Sequence, residues 1–434
     1  MLDIKFVARN AEDVAANCER RHMPADVESL VKTYRERNVA IERMEAVRRQ
    51  MNDNARSMKG PMPQDERQVL IQRGRDLKAE VADLDRRANE LKAALDTGVR
   101  ALPNMTHPDV PAGKTDDDHV ELSRWGTPRD FGAEGFEALD HVQLGEQLDL
   151  IDFESGASVA GQKFYFLRNE AVVLDLALQR FAIDTLMRHG FTPVVTPDLA
   201  RPAILEGIGF NPRGAESQVY TIDGHDLCLV GTAEIPIGGM LADKRLDPDV
   251  LPLKFAGISH CFRTEAGAAG RHSRGLYRVH QFTKVEMFIF CHDQAGEDER
   301  MFSETCHDEL LAIEEELMQA MEIPYRVIDV CAGDLGAPAY RKFDIEAWMP
   351  GRGAYGEVTS ASNCTDYQAR RLGIRARPTD GGKKARFVHT LNGTAIAISR
   401  TLISLLENHQ QADGSIRIPE ALVPYVGAEQ IGPR

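Results

Sequence analysis

The residues best suited to chemistry are concentrated between Phe262 and Glu286. The first part of this segment carries a cation and a carboxylate two residues apart, Arg263 and Glu265. In a strand, residues i and i+2 point to the same face, so a strand here would place the two side by side. Such a pair suits a ligand with both a phosphate and a base amino group. The pattern therefore predicts a nucleotide site beside a Gly- and Arg-rich loop between Ala266 and Gly275.

The returning segment, Val279 to His292, is predicted to be the second strand of this pair. Phe282, Lys284 and Glu286 alternate along it and would share one face. An aromatic ring and a carboxylate could then line the same pocket.

Three other segments offer groups that complement a nucleotide site. Gly231–Glu234 is predicted to be extended, with the Thr232 hydroxyl and the Glu234 carboxylate on one side, where the carboxylate could accept an α-ammonium group. Glu357 and Ser360 are oxygen donors suited to Mg²⁺ that carries phosphate ligands.

The last segment, Leu391–Thr394, contains small residues that are predicted to lead into a helix carrying Arg400. Taken singly, each of these residues has an ordinary structural explanation, as a surface carboxylate, a core aromatic ring or an ion-paired arginine. Their joint occurrence in one chain favours a site for a nucleotide and an amino acid.

Other kinds of site fit the sequence poorly. Gly351–Gly356 has the spacing of a dinucleotide fingerprint, but Pro350 precedes it and strand-like residues follow it, which predicts a hairpin turn. The chain contains no P-loop motif. The adjacent pairs His260/Cys261 and Cys291/His292 would point to opposite faces of a strand, so no zinc is expected.

Composition and charge favour an intracellular globular protein of at least two domains. The chain has 434 residues, 43% hydrophobic and 27% charged, with a net charge of −15. Its seven scattered cysteines predict reduced thiols in the cytoplasm, and the N-terminus lacks the pattern of a secretory signal. No apolar run approaches the length of a membrane span.

Residues from about 28 to 100 are predicted to form a long helical hairpin. Leucines recur every seven residues from Leu70 to Leu91, and Lys59–Pro63 would break the helix. The first helix is less regular, with Arg37 and Arg48 at expected seam positions. The region carries 16 basic and 13 acidic residues, so it is locally positive in an acidic chain. Heptads of this kind often mediate dimerisation, and local attraction to phosphates is a second interpretation.

The rest of the chain is predicted to form a separate domain. Residues 102–118 resemble a linker, and the predicted boundary lies between residues 110 and 111. Strand and helix patterns follow, including helices at 171–189, 301–321 and 395–409. Because several predicted strands adjoin through hairpins, we expect an α+β fold with a largely antiparallel sheet and helices packed on it.

The segment from Phe262 to Glu286 resembles motif 2 of class II aminoacyl-tRNA synthetases, in the form found in bacterial-type seryl-tRNA synthetases. The similarity also covers Met1–Phe6, His107–Pro111, Val230–Glu234, Ser362–Arg371 and Thr390–Thr394, the last in motif 3. The segment around Pro197 resembles motif 1, which builds the dimer interface in this family. The resemblance implies a homodimer whose helical arm embraces the long variable arm of tRNA(Ser).

The resemblance also implies a role for individual residues. It implies serine binding by Thr232, Ala233, Glu234, Glu286, Asn392 and Thr394. It implies ATP binding by Arg263, Thr264, Glu265, Arg278, Val279, Phe282, Glu357, Val358, Thr359, Ser360 and Arg400. Arg263 and Arg400 would be catalytic, Glu357 and Ser360 would hold Mg²⁺, and Phe282 would stack on adenine.

The implied reaction forms a seryl-adenylate from L-serine and ATP and transfers the seryl group to tRNA(Ser), and it leaves the selenocysteine tRNA open as a second acceptor. Two alternatives share much of the sequence evidence. One is a paralogue that activates an amino acid for another acceptor, and the other is an inactive binding homologue. The predicted arm counts against the first, and the presence of Arg263, Glu286 and Arg400 counts against the second.

Overall fold

A computed structural model describes residues 1–210, 218–266, 274–292, 294, 300–377, 382 and 384–433. The chain separates into two compact units, Met1–Met105 and Thr106–Arg434. The predicted Gly- and Arg-rich loop falls largely on residues 267–273, which lie outside the described residues.

The first unit is helical, and two long helices form most of it. Its helices are α1 (Ile4–Arg9), α2 (Ala11–Arg20), α3 (Val27–Ser57) and α4 (Gln64–Ala101). Asp26 caps α3 by accepting a hydrogen bond from the Ser29 amide at 2.9 Å. The interruption between α3 and α4 coincides with the predicted Pro- and Gly-containing break, since neither helix extends into residues 58–63.

The helices α3 and α4 pack against each other as an antiparallel pair. Arg43 binds Glu80 at 2.7 Å, and Arg87 binds Glu36 at 3.2 Å. The predicted heptad seam is confirmed in part, because Leu77 and Leu91 are buried whereas Leu70 and Leu84 are half-buried. On α3 the expected seam position of Arg48 is wrong: Arg48 is exposed, and its neighbour Val47 is buried instead.

The second unit is built on an eight-stranded sheet, which confirms the predicted fold class. Its strand order is β1-β10-β11-β12-β15-β9-β8-β4, and all neighbouring pairs are antiparallel except β4 and β8. These strands are β1 (Val120–Trp125), β4 (Thr192–Val195), β8 (Leu253–Phe262), β9 (Gln281–Cys291), β10 (Tyr325–Asp329), β11 (Arg341–Met349), β12 (Ala354–Asn363) and β15 (His389–Ala397).

Smaller strands and nine helices complete the described part of this unit. The short strands are β2 (Ile151–Asp152), β3 (Phe166–Leu167), β5 (Leu199–Ala200), β6 (Cys228–Leu229), β7 (Arg245–Leu246), β13 (Arg375–Ala376), β14 (Arg386–Phe387), β16 (Ile416–Arg417) and β17 (Gln430–Ile431). The helices are α5 (His141–Gln147), α6 (Phe153–Ala160), α7 (Glu170–Arg188), α8 (Pro202–Ile208), α9 (Glu234–Met240), α10 (Phe302–Ala320), α11 (Tyr367–Leu372), α12 (Ile398–His409) and α13 (Val423–Val426).

The central strand β9 is buried on both faces. Val285, Met287 and Ile289 belong to a core that includes residues of α7, α10 and α12. Phe288 and Phe290 belong to a second core that includes residues of α8, α9 and α11. Lys284 and Glu286 share the face of Phe288, because side chains alternate along a strand. The chemistry-bearing residues of β9 therefore lie on the face covered by the short helices.

The structure confirms one sequence prediction about a turn and contradicts one about a helix start. The predicted hairpin turn at Gly351–Gly356 is confirmed, because a 3₁₀ turn over Pro350–Arg352 joins β11 to β12 and Gly353 has a φ of 59°. The predicted start of the last long helix is wrong, because Ala395 to Ala397 continue β15 and α12 begins at Ile398. No described helix has both the length and the apolar character that crossing a bilayer requires.

Candidate active site

A cavity of about 820 Å³ opens at the strands that carry the predicted site residues. From the predicted set, its lining includes Glu234, Arg263, Glu265, Arg278, Val279, Phe282, Glu357, Val358, Thr359, Ser360, Asn392, Thr394 and Arg400. Within the described residues, Thr232, Ala233, Thr264 and Glu286 are not part of that lining. The tertiary structure therefore brings together residues from four separate parts of the chain.

Arg263 and Glu265 lie beyond the end of β8, so the prediction that both are strand residues is wrong. β8 ends at Phe262, and Glu265 has a φ of 51°. The backbone is held at both sides of this turn, because the Arg263 amide donates to His280 O at 3.0 Å and the Thr264 amide donates to Gln218 O at 3.1 Å. The conformation of this turn, and not the alternation of side chains along a strand, directs both side chains into the cavity.

The guanidinium of Arg263 is available to an anion. Its Cζ atom lies 5.4 Å from the centroid of the Phe282 ring, a cation–π distance. Among the residues that the structure describes, Arg263 forms no ion pair. By contrast, Arg278 binds Glu265 at 3.2 Å. An arginine above an aromatic ring offers both a charge for a phosphate and a surface for a planar base.

Glu234 is the first residue of α9, so the prediction of an extended Gly231–Glu234 segment is wrong. Ala233 is the N-cap of this helix and is fully buried. Thr232 is also buried, and its Oγ1 accepts a hydrogen bond from the Glu234 amide at 3.2 Å. The hydroxyl of Thr232 is therefore engaged in the helix start, while the carboxylate of Glu234 faces the cavity.

The carboxylate of Glu234 has an unusual environment. Its Oε1 atom accepts hydrogen bonds from Gln368 Nε2 at 2.7 Å and from Asn392 Nδ2 at 2.9 Å. Burial raises the pKa of Glu234 to about 7, with a further contribution from the negative charge of Glu286. This carboxyl group therefore changes its charge close to neutral pH.

Glu286 lies behind the surface of the cavity, in contact with Lys284 and Thr394. Thr394 is directly opposite Glu286 in the β9–β15 ladder, and its Oγ1 donates to Glu286 Oε2 at 3.4 Å. The Lys284 ammonium forms an ion pair with the same carboxylate and donates to Thr394 Oγ1 at 3.4 Å. Burial raises the pKa of Glu286, and Lys284 opposes that shift.

Lys284 is a site residue that the sequence prediction missed. It is buried, lines the cavity and contacts two residues predicted to recognise the amino acid. The alternation of Phe282, Lys284 and Glu286 on one face was the signal that could have identified it.

A bulge in β12 brings Glu357 and Ser360 to the same face. Residues three apart in a regular strand point in opposite directions. The β11–β12 register, however, pairs Glu346 with Glu357 and Ile345 with Thr359, so that Val358 is the additional residue. The two predicted metal ligands therefore both line the cavity.

Arg400 lies on α12 as predicted, and the segment with Asn392 and Thr394 leads into that helix, but the two residues are not at the helix start. They are strand residues of β15, and their separation of two places both on one face. Arg400 Nη1 donates to Glu357 O at 2.9 Å and forms an ion pair with Glu357 Oε2 at 3.1 Å. Its Cζ atom also lies 4.7 Å from the centroid of the Tyr277 ring.

The charge state of Glu357 suits a metal ligand. Burial alone would raise its pKa, but the positive charges of Arg400 and Lys342 lower the pKa to about 2. An ionised carboxylate beside the hydroxyl of Ser360 is a donor set of the kind that Mg²⁺ prefers. The residues present therefore fit the predicted metal.

Comparisons with known proteins agree with this arrangement. Residues 1–106 match the seryl-tRNA synthetase N-terminal domain, and residues 218–409 match the class II tRNA synthetase core domain (G, H, P, S and T). Serine–tRNA ligases of Treponema denticola and Rubrobacter xylanophilus are each 53% identical over 434 residues, covering all of this chain and 100% and 99% of the respective relatives.

A solved structure shows the same similarity. The seryl-tRNA synthetase of Pyrococcus horikoshii, determined in complex with ATP, superposes with a TM-score of 0.92 at 41% identity, and each chain covers 100% of the other.

Proposed function

The chain belongs to the seryl-tRNA synthetase family and is a serine–tRNA ligase. We propose which residues of its cavity bind ATP and which bind L-serine. The observation that carries the proposal is the convergence of Arg263, Glu234 and Glu357 on one cavity. These side chains would supply a cation for a phosphate, an acceptor for an ammonium group and a metal ligand.

The nucleotide half of the cavity would hold ATP through a ring, an acceptor and several cations. The adenine ring would stack on Phe282, and Glu265 would accept a hydrogen bond from the adenine amino group. Arg263 would bind the α-phosphate, and Arg278 and Arg400 would bind the outer phosphates. Val279, Val358 and Thr359 would complete the binding surface, and Thr264, which is not part of the cavity lining, would hold the turn between Arg263 and Glu265.

The amino-acid half would be built around buried carboxylates. Glu234, together with Thr232 and Ala233 at the start of α9, would hold the ammonium group of serine. Glu286, Thr394 and Asn392 would recognise the side-chain hydroxyl. A pocket that must hydrogen-bond a hydroxyl discriminates strongly against alanine, because its buried polar groups would otherwise stay unpaired. Threonine must be excluded by size, which is a weaker basis for discrimination.

The chemistry needs no protein nucleophile. The serine carboxylate would attack the α-phosphorus in line and displace pyrophosphate, forming the seryl-adenylate. A ribose hydroxyl of the terminal tRNA adenosine would then attack the activated carbonyl and release AMP. Positioning and neutralisation of the developing negative charge by Arg263 and Arg400 would account for the acceleration.

Glu357 and Ser360 would hold the Mg²⁺ that accompanies ATP. The ion would neutralise negative charge on the phosphates. The protein's part is to keep Glu357 ionised and aligned through Arg400, which contacts both its carboxylate and its backbone carbonyl.

The helical hairpin of α3 and α4 would bind tRNA(Ser), with the selenocysteine tRNA as a second acceptor. Its local excess of basic residues in an acidic chain supports this assignment. We further propose a cytoplasmic homodimer. Several apolar side chains near the motif 1 segment are exposed in the single chain, including Leu176 at 62% and Val195 at 82%.

Replacement of Arg263 tests the activation step. Arg263→Ala should lower serine-dependent pyrophosphate exchange by at least about 100-fold, because the transition-state charge loses a direct partner. Arg417→Ala is the matched control, since Arg417 pairs with Glu322 at 2.8 Å and does not line the cavity. Full exchange in the folded Arg263→Ala protein would contradict the assignment.

Attachment of labelled serine to unfractionated tRNA tests the acceptor. Charging confined to tRNAs with a long variable arm is expected. Serine-dependent ATP consumption without charged tRNA would instead indicate a different acceptor.

A further inference from the structure

Gln368 is a fully buried amide that lies directly behind the cavity. It belongs to α11 and does not contribute to the cavity lining. Its Nε2 atom donates to Ile208 O at 3.0 Å and to Glu234 Oε1 at 2.7 Å, and its Oε1 atom accepts from Thr390 Oγ1 at 2.7 Å. Because two acceptors lie on one side of the amide, the orientation of the NH₂ group is determined by its partners.

These contacts assign different tasks to the two oxygens of Glu234. Oε1 accepts from both Gln368 and Asn392, so it must stay unprotonated for both hydrogen bonds to persist. In the described part of the chain, Oε2 accepts no hydrogen bond from another side chain. A cationic ligand in the cavity would therefore meet Oε2.

We propose that Gln368 is a positioning residue for amino-acid binding: its amide holds Glu234 Oε1 and leaves Oε2 to accept the ammonium group of serine. The inference rests on the proposed function, because it takes Glu234 as the acceptor for that ammonium group. It adds a residue that touches neither substrate and acts through Glu234 alone.

The electrostatics of the pocket give this contact a measurable consequence. Burial and the negative charge of Glu286 raise the pKa of Glu234, whereas the hydrogen bond from Gln368 and the positive charges of Lys284 and Arg263 lower it, and the balance is a pKa of about 7. Among the described residues, the charged groups that act on Glu234 are Glu286, Lys284 and Arg263, and the neutral donors to it are Gln368 and Asn392. Loss of the Gln368 donor would raise the pKa, so that Glu234 would become protonated and lose the ammonium group at a higher pH.

Gln368→Met tests the proposal, because methionine has a similar length but no hydrogen-bond donor. At neutral pH, kcat/KM for serine in pyrophosphate exchange should fall about 10- to 100-fold, the range for loss of a hydrogen bond to a charged group. KM for ATP should stay within about twofold. The acid limb of kcat/KM for serine should move to higher pH by about one unit, since one pKa unit corresponds to a tenfold change.

A second pair of variants keeps the test decisive if Gln368→Met does not fold. Thr390→Val removes the donor to Gln368 Oε1 with little change in volume, so the amide loses its anchor. The same alkaline shift is expected, with a smaller loss in kcat/KM. Thr390→Ser retains the hydroxyl and should restore the wild-type pH profile.

The outcomes separate this inference from the proposed function. An unshifted acid limb in Gln368→Met and Thr390→Val, or an equal loss for serine and ATP, would overturn the positioning role. Absence of serine-dependent exchange in the wild-type chain would overturn the proposed function itself.

Discussion

At the scale of single residues, the proposed Mg²⁺ site depends on one additional residue in β12. The bulge at Val358 reverses the alternation of side chains, so that Glu357 and Ser360 share a face. Arg400 then contacts both the carboxylate and the backbone carbonyl of Glu357. The pKa of about 2 keeps this carboxylate ionised at every pH at which the enzyme would work.

Glu357→Gln should raise the Mg²⁺ concentration needed for half-maximal pyrophosphate exchange by about tenfold or more, because a charged oxygen ligand is replaced by a neutral one. KM for serine should change little. Titration of exchange activity with Mg²⁺ measures the effect.

Glu322→Gln provides the control, since Glu322 also pairs with an arginine but does not line the cavity. An unchanged Mg²⁺ requirement in Glu357→Gln would argue against the assigned ligand.

At the scale of elements, a buried hydrogen-bond network around His141 and Glu407 connects helices α5 and α12 to the turn that precedes Arg278. Glu407 Oε1 accepts from the amide of His141 and lies 2.7 Å from its Nδ1, and Glu407 Oε2 accepts from the Gly351 amide. His141 Nε2 accepts from the Leu276 amide at 3.1 Å. The His141 tautomer therefore has its proton on Nδ1, donated to Glu407.

The absence of a side chain at Gly275 leaves room for this hydrogen-bond network, because a Cβ atom there would lie 2.0 Å from His141 Nε2. Gly275→Ala should therefore displace the turn, lower exchange activity by about tenfold or more and reduce the free energy of unfolding. Part of that reduction comes from the φ of 67°, which costs a non-glycine residue about 1–2 kcal/mol. Overpacking should add about 1–3 kcal/mol.

The matched variant is Gly427→Ala, since Gly427 has a φ of 77° and no atom within 4 Å of an added Cβ. Denaturant unfolding of both variants isolates the contribution of the clash. If Gly275→Ala and Gly427→Ala lost equal stability and Gly275→Ala retained exchange activity, the hydrogen-bond network would not be what holds the turn.

At the scale of the whole molecule, the cavity and the helical hairpin belong to different compact units. All residues that line the cavity lie in the second unit, and each unit has its own hydrophobic cluster. Activation of serine and selection of tRNA should therefore be separable by deletion.

A chain that lacks residues 37–86, with Glu36 joined to Arg87 by a short glycine linker, should retain pyrophosphate exchange and lose tRNA charging. The two joined residues already contact each other at 3.2 Å, and Leu30, Leu95 and Val99 stay in place to preserve the base of the hairpin. Both activities should be measured on one preparation. Unimpaired charging would contradict the role of the hairpin.

The proposed dimer makes a further prediction at this scale. Leu176→Glu should reduce the mass measured by light scattering from that of two chains to that of one, because a charge would be buried in an apolar interface. Val39→Glu is the control, since Val39 is exposed to a similar extent, 64% against 62%, and lies on the hairpin. A dimer that persists in Leu176→Glu would place the interface elsewhere.

Local patterns in the sequence were sufficient for much of the architecture. The apolar spacing of α7, α10 and the hairpin, together with the Pro- and Gly-containing break at 59–63, identified these elements to within a few residues. Such patterns are local because a helix repeats every 3.6 residues and a strand every two. Motif 2 likewise predicted, from contiguous residues, part of the cavity lining: Arg263, Glu265, Arg278, Val279 and Phe282.

Only the tertiary structure decided how the site is assembled. The bulge at Val358, the contact of Lys284 with Thr394, and the contact of Gln368 with Glu234 depend on partners distant in sequence; Gln368 and Glu234, for example, are 134 residues apart. Periodicity describes which face a residue occupies but not which distant side chain meets it there. The sequence by itself thus determined the elements and the class of chemistry. Packing determined which atoms of those elements meet, because that depends on long-range contacts between surfaces that no local repeat encodes.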